Sequence, residues 1–152
     1  MKKTNALRIL DQQKISYQTV AYEYDPDHLD VAHLAEQNAL SLPQIFKTLV
    51  CKGDKTGPVI AVIAGDRQLD LKQLAKASGN RKMALVPVKD LQSLTGYIRG
   101  GCSPIGMKKA YPTFVDAHAM SHEIIYINAG QRGLLVGLSP RKLVDVVQAE
   151  LL

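Results

Sequence analysis

Aromatic residues are scarce in this chain: it has no tryptophan, two phenylalanines (Phe46 and Phe114) and six tyrosines. Only Tyr97 and Tyr111 fall near its basic middle, which argues against a platform of aromatics that stacks RNA bases. Cysteine is nearly as rare, with Cys51 and Cys102 alone. Two cysteines make neither a disulfide framework nor a four-cysteine zinc site, so free thiols and a cytoplasmic location are expected. No apolar run approaches the ~18 residues of a membrane-crossing helix, and no membrane partner is expected. The N-terminal MKKTNALRIL carries two lysines, but Asp11, Gln12 and Gln13 interrupt the apolar stretch that a secretory signal would need. Repeats, low-complexity tracts and linkers are also missing, so residues 1–152 are expected to form one domain with a core of its own.

What is present is unevenly spread. Residues 1–46 carry four Lys or Arg against six carboxylates, a net charge of −2, whereas residues 67–109 carry nine against two, a net +7. A basic middle suits a polyanion such as nucleic acid. Arg81, Lys82, Arg99, Lys108 and Lys109 are the candidates for phosphate contacts, the alternative being a solvated face. The same region ends in the stretch Thr95–Lys109, TGYIRGGCSPIGMKK, with Gly96, Gly100, Gly101, Gly106 and Pro104. Glycine lets a ligand approach the main chain closely, and Pro104 biases Ser103 towards extended backbone. Such a segment reads either as a tight turn or as a shaped loop whose amides meet a carbonyl oxygen or a phosphate.

Periodicity supplies the elements. Thr4 caps a first helix and Asp30 a second, running through Asn38. Asp70 opens a helix through Ser78 that Gly79 stops, Pro87 starts another, and Ser139-Pro140 starts a terminal helix with Leu143, Val144, Val147 and Leu151 on one side. Strands are expected at Ile15–Tyr22, Ile45–Cys51, Pro58–Ala64, Met83–Val86, Thr113–Asp116, Glu123–Asn128 and Leu134–Leu138. Strands and hairpins interspersed with helices predict an α/β (α+β) domain with a mixed sheet.

Within Ile45–Cys51 the one charge is Lys47. An ammonium among apolar groups loses hydration, so Lys47 is a candidate for gripping an oxyanion or phosphate; alternatively its stem lies on the core and its head reaches water. Cys102 as a nucleophile would need a base, and no histidine is near it in sequence. His118 and His122 have the spacing of a helical metal pair, with Asp116 or Glu123 as a third ligand. The flanking TFVDAHAMSHE reads rather as strand then loop, with the histidines in solvent and no metal site. His28 and His33 carry no signal, and Cys51 reads as a small core residue.

The ordered set Phe46-Lys47-Thr48-Leu49, Gln68-Leu69-Asp70-Leu71-Lys72, Thr95-Gly96-Tyr97, Gly100-Gly101-Cys102-Ser103-Pro104-Ile105-Gly106 and Gly130-Gln131-Arg132-Gly133-Leu134 resembles the YbaK family. These are free-standing trans-editing proteins related to the editing domain of bacterial prolyl-tRNA synthetases. The resemblance implies a mixed, barrel-like β-sheet surrounded by helices, and hydrolysis of mischarged aminoacyl-tRNA, with Cys-tRNA(Pro) as the substrate of YbaK members. It implies Lys47 as the essential lysine, Gly100 and Gly101 beside the aminoacyl ester, and Tyr22 in the pocket. Cys102, Ser103, Pro104, Gly106, Gly130 and Arg132, within the matched motifs, and Asn128, just before the last of them, are the expected substrate-binding residues. The implied nucleophile is the substrate's own thiol, so no cofactor is needed; prolyl-tRNA synthetase is a candidate partner. Asn128 falls where relatives often have serine, Leu135 where some have an acidic residue, and Cys102 where an aliphatic residue is common. Two alternatives stay open: a deacylase of Ala- or Ser-tRNA, since related editing domains remove alanine, serine or others, or a tRNA-binding module without catalysis.

Overall fold

The computed structural model describes residues 3–27 and 30–152, so Lys2 and His28 lie outside the described residues. Its centre is the antiparallel hairpin of β2 (Phe46–Gly53) and β3 (Gly57–Ala64). β3 is rich in Val and Ile, which suit a pleated surface, and Val59–Ala64 are all buried. Because successive side chains point to opposite faces, β3 serves two cores. Val62 and Ala64 pack with Ala6, Leu7 and Leu10 of α1 (Asn5–Gln12), with Leu143 of α5 (Pro140–Val147), and with Ile125, Ile127, Val136 and Leu138. Val59, Ala61 and Ile63 pack with Cys51, Phe114 and Leu74 of α3 (Leu71–Ser78).

The hairpin belongs to a five-stranded sheet ordered β4-β2-β3-β5-β8, with β4 (Met83–Leu85) at one edge and β5 (Thr113–Val115) and β8 (Glu150–Leu151) joined in parallel at the other. A three-stranded antiparallel sheet is ordered β1-β7-β6, from β1 (Gln18–Ala21), β6 (Ile125–Asn128) and β7 (Leu134–Leu138). The sheets adjoin at an isolated bridge between Ile45 and Tyr126. The fold is therefore a mixed α/β domain with two sheets, and no closed barrel forms among the described residues.

Helix ends follow the caps. Thr4 accepts from the Leu7 amide at 3.2 Å, and Asp70 from those of Lys72 and Gln73. Asp30 does the same for α2 (Val31–Gln37), accepting from His33 N. Gly79 and Gly96, at φ +81° and +86°, close α3 and α4 (Val88–Thr95) in the left-handed conformation. Pro87 stands one position before α4 rather than in it. Leu151, expected on the terminal helix, lies beyond it: Gln148 turns left-handed at φ +52°, and Leu151 pairs with Val115. That pairing gives the open edge of β5 a partner, which helical periodicity cannot anticipate. β1 begins at Gln18 rather than Ile15, because the Ile15 amide still bonds Leu10 O as the exit of α1.

The β2–β3 turn is tied down by Asn80, 8% exposed, whose side-chain oxygen accepts from the Lys55 and Thr56 amides while its nitrogen donates to Thr56 Oγ1 and Ser78 Oγ. Asn80→Ala leaves these groups unpaired and is expected to lower stability by ~1–3 kcal/mol. Denaturant unfolding should show a lower midpoint with an unchanged slope.

Candidate active site

A cavity of about 220 Å³ opens where several segments converge. The start of β2 supplies Phe46, Lys47 and Thr48, the end of β6 Asn128, and β7 Leu135. The loop after α4 supplies Gly100 and Cys102, and the segment between β1 and α2 supplies Tyr22 and Tyr24, with Val31 and Leu34 of α2 closing the side. Sequence-distant residues thus meet because β2 abuts β6 at the Ile45–Tyr126 bridge.

The glycine loop is held from several directions. Thr95 Oγ1 donates to Leu91 O and accepts from the Tyr97 amide. The Tyr97 hydroxyl donates to Ile105 O at 2.6 Å, and burial pushes its pKa up to about 12. A turn closes Ile98–Gly101, its Gly101 amide donating to Ile98 O at 2.9 Å. That amide is consequently engaged within the loop, whereas those of Gly100 and Cys102 have no protein acceptor among the described residues. Asn128 Nδ2 donates to Gly100 O at 2.9 Å, and Asn128 Oδ1 accepts from the Gly130 amide at 2.7 Å. Arg132 donates through Nε to Arg99 O at 3.0 Å and lays its guanidinium 4.7 Å from the centre of the Tyr24 ring. Three loops are locked together by these contacts. Gly100, at φ +84°, has no room for a side chain: a Cβ would lie 2.9 Å from Tyr24 Cε2.

Lys47 is half-buried, pairs across the hairpin with Ile63, and has no carboxylate within ion-pair distance among the described residues. Next to it in sequence, Thr48 Oγ1 is buried and has no hydrogen-bond partner among the described residues. A buried hydroxyl without a partner is costly, and Thr48 is one of the cavity-lining residues. Thr48, which the sequence offers only as part of a motif, and Tyr24 are not among the expected site residues, since threonine is ordinary in strands and Tyr24 takes its place through Arg132 and Gly100. Burial raises the Tyr22 hydroxyl above its usual range, opposed by hydrogen bonds from the Gly133 backbone and Asn128. Burial also raises both thiols, Cys51 and Cys102 each to about 11. Cys102 is therefore a protonated thiol at neutral pH, and Cys51 is a core residue.

The other predicted residues lie apart from the cavity lining. Ser103 is fully buried and accepts from the Ile105 amide. Pro104, Gly106 and Lys109 line a separate cleft against α1 and α5, where Asn5 donates to Gly106 O. Gly130, at φ +105°, lies against Tyr97 and Thr4. Gly101 packs on the Gln131–Arg132 backbone. Lys108 folds over Gly96, and Arg81 and Lys82 follow α3 near the outer edge of β4. His118 bonds Asp116 at 2.8 Å and His122 packs edge-on against Phe46, so the two rings have different partners. They lie on a 3-10 turn, Ala117–Ser121, and its end, where a loop was expected.

A family profile described as "Aminoacyl-tRNA editing domain" matches residues 25–146. The chain is 46% identical to EbsC of Enterococcus faecalis, by name a candidate Cys-tRNA(Pro)/Cys-tRNA(Cys) deacylase, over 98% of this chain and 91% of that one. It is 30% identical to the multifunctional Ser/Thr-tRNA deacylase ProXp-y of Escherichia coli K12, over 78% of this chain and 73% of that one. The fold matches a crystal structure described as a candidate trans-editing enzyme for prolyl-tRNA synthetase, with a TM-score of 0.83 at 20% identity, covering 100% of this chain and 97% of that one.

Proposed function

The chain belongs to the aminoacyl-tRNA editing domain family, and on that premise we propose that it hydrolyses the ester of mischarged Cys-tRNA(Pro), with residues 1–152 acting as one editing domain. The carrying observation is the 220 Å³ cavity that brings Lys47, Gly100, Cys102, Asn128 and Tyr22 together, a volume suited to a small aminoacyl group. Lys47 faces the developing oxyanion or the terminal nucleotide, and the Gly100 and Cys102 amides are its candidate donors. Gly101 allows the close approach of the Gln131–Arg132 turn, and Asn128 and Arg132 hold the loop in place. Leu34, Leu135 and Val31 give a wall that suits a thiol side chain. Aminoacylated tRNA is the partner, and prolyl-tRNA synthetase is a candidate supplier of it.

A second reading, cleavage of seryl esters, is in line with the name of the E. coli relative. A deacylation panel of Cys-, Ser-, Ala- and Pro-tRNA(Pro) separates the readings: cysteinyl ester is expected to disappear fastest and prolyl ester to persist. A binding module without catalysis would protect all four. Gly100→Ala forces Tyr24 aside and strains a left-handed position, and a displacement of ~1 Å at the loop is expected to lower kcat/KM by roughly 10²-fold. Steady-state kinetics on the cysteinyl ester check this.

A further inference from the structure

The cavity is poorly suited to hold a nucleic-acid backbone. Its lining has the carboxylates Glu23, Asp25 and Asp30 against one cation, Lys47. A polyanionic substrate must then be held elsewhere, and the opposite charge balance occurs at the far end of β2. There an open groove of about 820 Å³ runs between α3 and β4, lined by Lys52, Lys72, Arg81 and Lys82 against one carboxylate, Asp54. Asp54 Oδ1 already accepts from the Arg81 and Lys82 amides, at 2.9 and 3.0 Å. All four cationic residues are exposed, so their charges can meet phosphates without a burial cost. β2 joins the two places directly: Lys47 to Lys52 spans about 17 Å at ~3.4 Å per residue.

We propose that this groove is a second RNA-docking surface, gripping the sugar-phosphate backbone of the tRNA about 17 Å from the esterified end held in the cavity. The inference rests on the editing reading for the identity of the RNA. The groove supplies affinity and the cavity supplies chemistry. Leu85, 56% exposed on the groove wall, gives no base-stacking surface, so the contact is to backbone and carries no sequence preference.

The test compares the wild-type chain with the double variant Lys52→Ser/Lys72→Ser in two assays. In the first, uncharged tRNA(Pro) transcript is titrated at several salt concentrations. The variant is expected to bind about tenfold more weakly, and its plot of log affinity against log salt to be shallower by about 1.4–1.8, for two lost phosphate contacts. In the second, each protein is given Cys-tRNA(Pro) and the cysteinyl ester of a short CCA oligonucleotide. KM for the full tRNA should rise about tenfold, while cleavage of the short ester, which does not reach the groove, should match wild type. Equal tRNA affinity and salt slope in the two proteins overturn the proposal. So does equal tRNA binding accompanied by loss of co-elution with prolyl-tRNA synthetase, which would make the groove a protein-docking surface. If wild type cleaves neither ester, the editing reading fails on its own, and the binding titration still decides the groove.

Discussion

Lys47→Ala is expected to abolish ester cleavage while the protein stays folded. Lys47 carries its charge at the start of a half-buried strand, where it lines the cavity and has no carboxylate partner among the described residues. An ammonium in that setting is worth more to a developing oxyanion than it would be in water, and removing one such group costs roughly 10²–10³-fold in rate. The fold should tolerate the change, because β2 is held by backbone pairing with β3 along its length and the lysine head forms no ion pair among the described residues. Lys47→Arg keeps the charge but brings a larger planar head into a cavity of about 220 Å³, so partial activity at best is expected. Thermal unfolding within a few degrees of wild type, with kcat/KM down by at least ~10², is the expected pair of results. Near-normal turnover in the alanine variant would remove Lys47 from the mechanism.

The next largest effect is expected from the substrate. Cysteine and serine differ little in shape, and an apolar pocket separates such side chains by only ~1–3 kcal/mol. If the substrate sulfur attacks its own ester carbonyl, a C–S bond forms, the C–O bond to the ribose breaks, and the departing 3′ oxygen takes up a proton. Water then opens the resulting ring. A thiol titrates near ~8.5 and an alcohol far higher, so the cysteinyl ester should be cleaved much faster than the seryl ester. The rate should rise with pH up to that value and then level. S-alkylation of the substrate should stop the reaction. Cys102→Ala should not, because the Cys102 thiol, raised to about 11 by burial, stays protonated over the same range. Equal rates on the two esters would point instead to attack by water, and an inactive Cys102 variant that still binds tRNA would return the nucleophile to the protein.

The sequence reveals the elements where local chemistry decides them. Asp30, Asp70 and Thr4 start helices because their oxygens meet free amides, and Gly79 stops one because it can turn left-handed. Lys47 stands out because a lone charge in an apolar strand needs a reason. What local patterns hide is decided by distant contacts. Leu151 continues the helical stripe of α5 but is claimed by the open edge of β5. The glycines of Thr95–Lys109 look alike in sequence and serve different ends: Gly100 lines the cavity, Gly106 packs on α1, and the Gly101 amide closes a turn. Thr48 and Tyr24 gain meaning only from what surrounds them, a dry wall in one case and the Arg132 guanidinium in the other. The basic middle is plain as a sum of charges, but its division between a groove at β4 and the surface around Gly96 needs the folded chain.

The most direct measurement is the time course of cysteine release from Cys-tRNA(Pro) at neutral pH, with substrate in excess over the purified chain and spontaneous hydrolysis followed in parallel. Release of many equivalents of cysteine per protein molecule, faster than the spontaneous reaction, is the predicted result. An ester that decays at the spontaneous rate, or more slowly because the protein shields it, would contradict it.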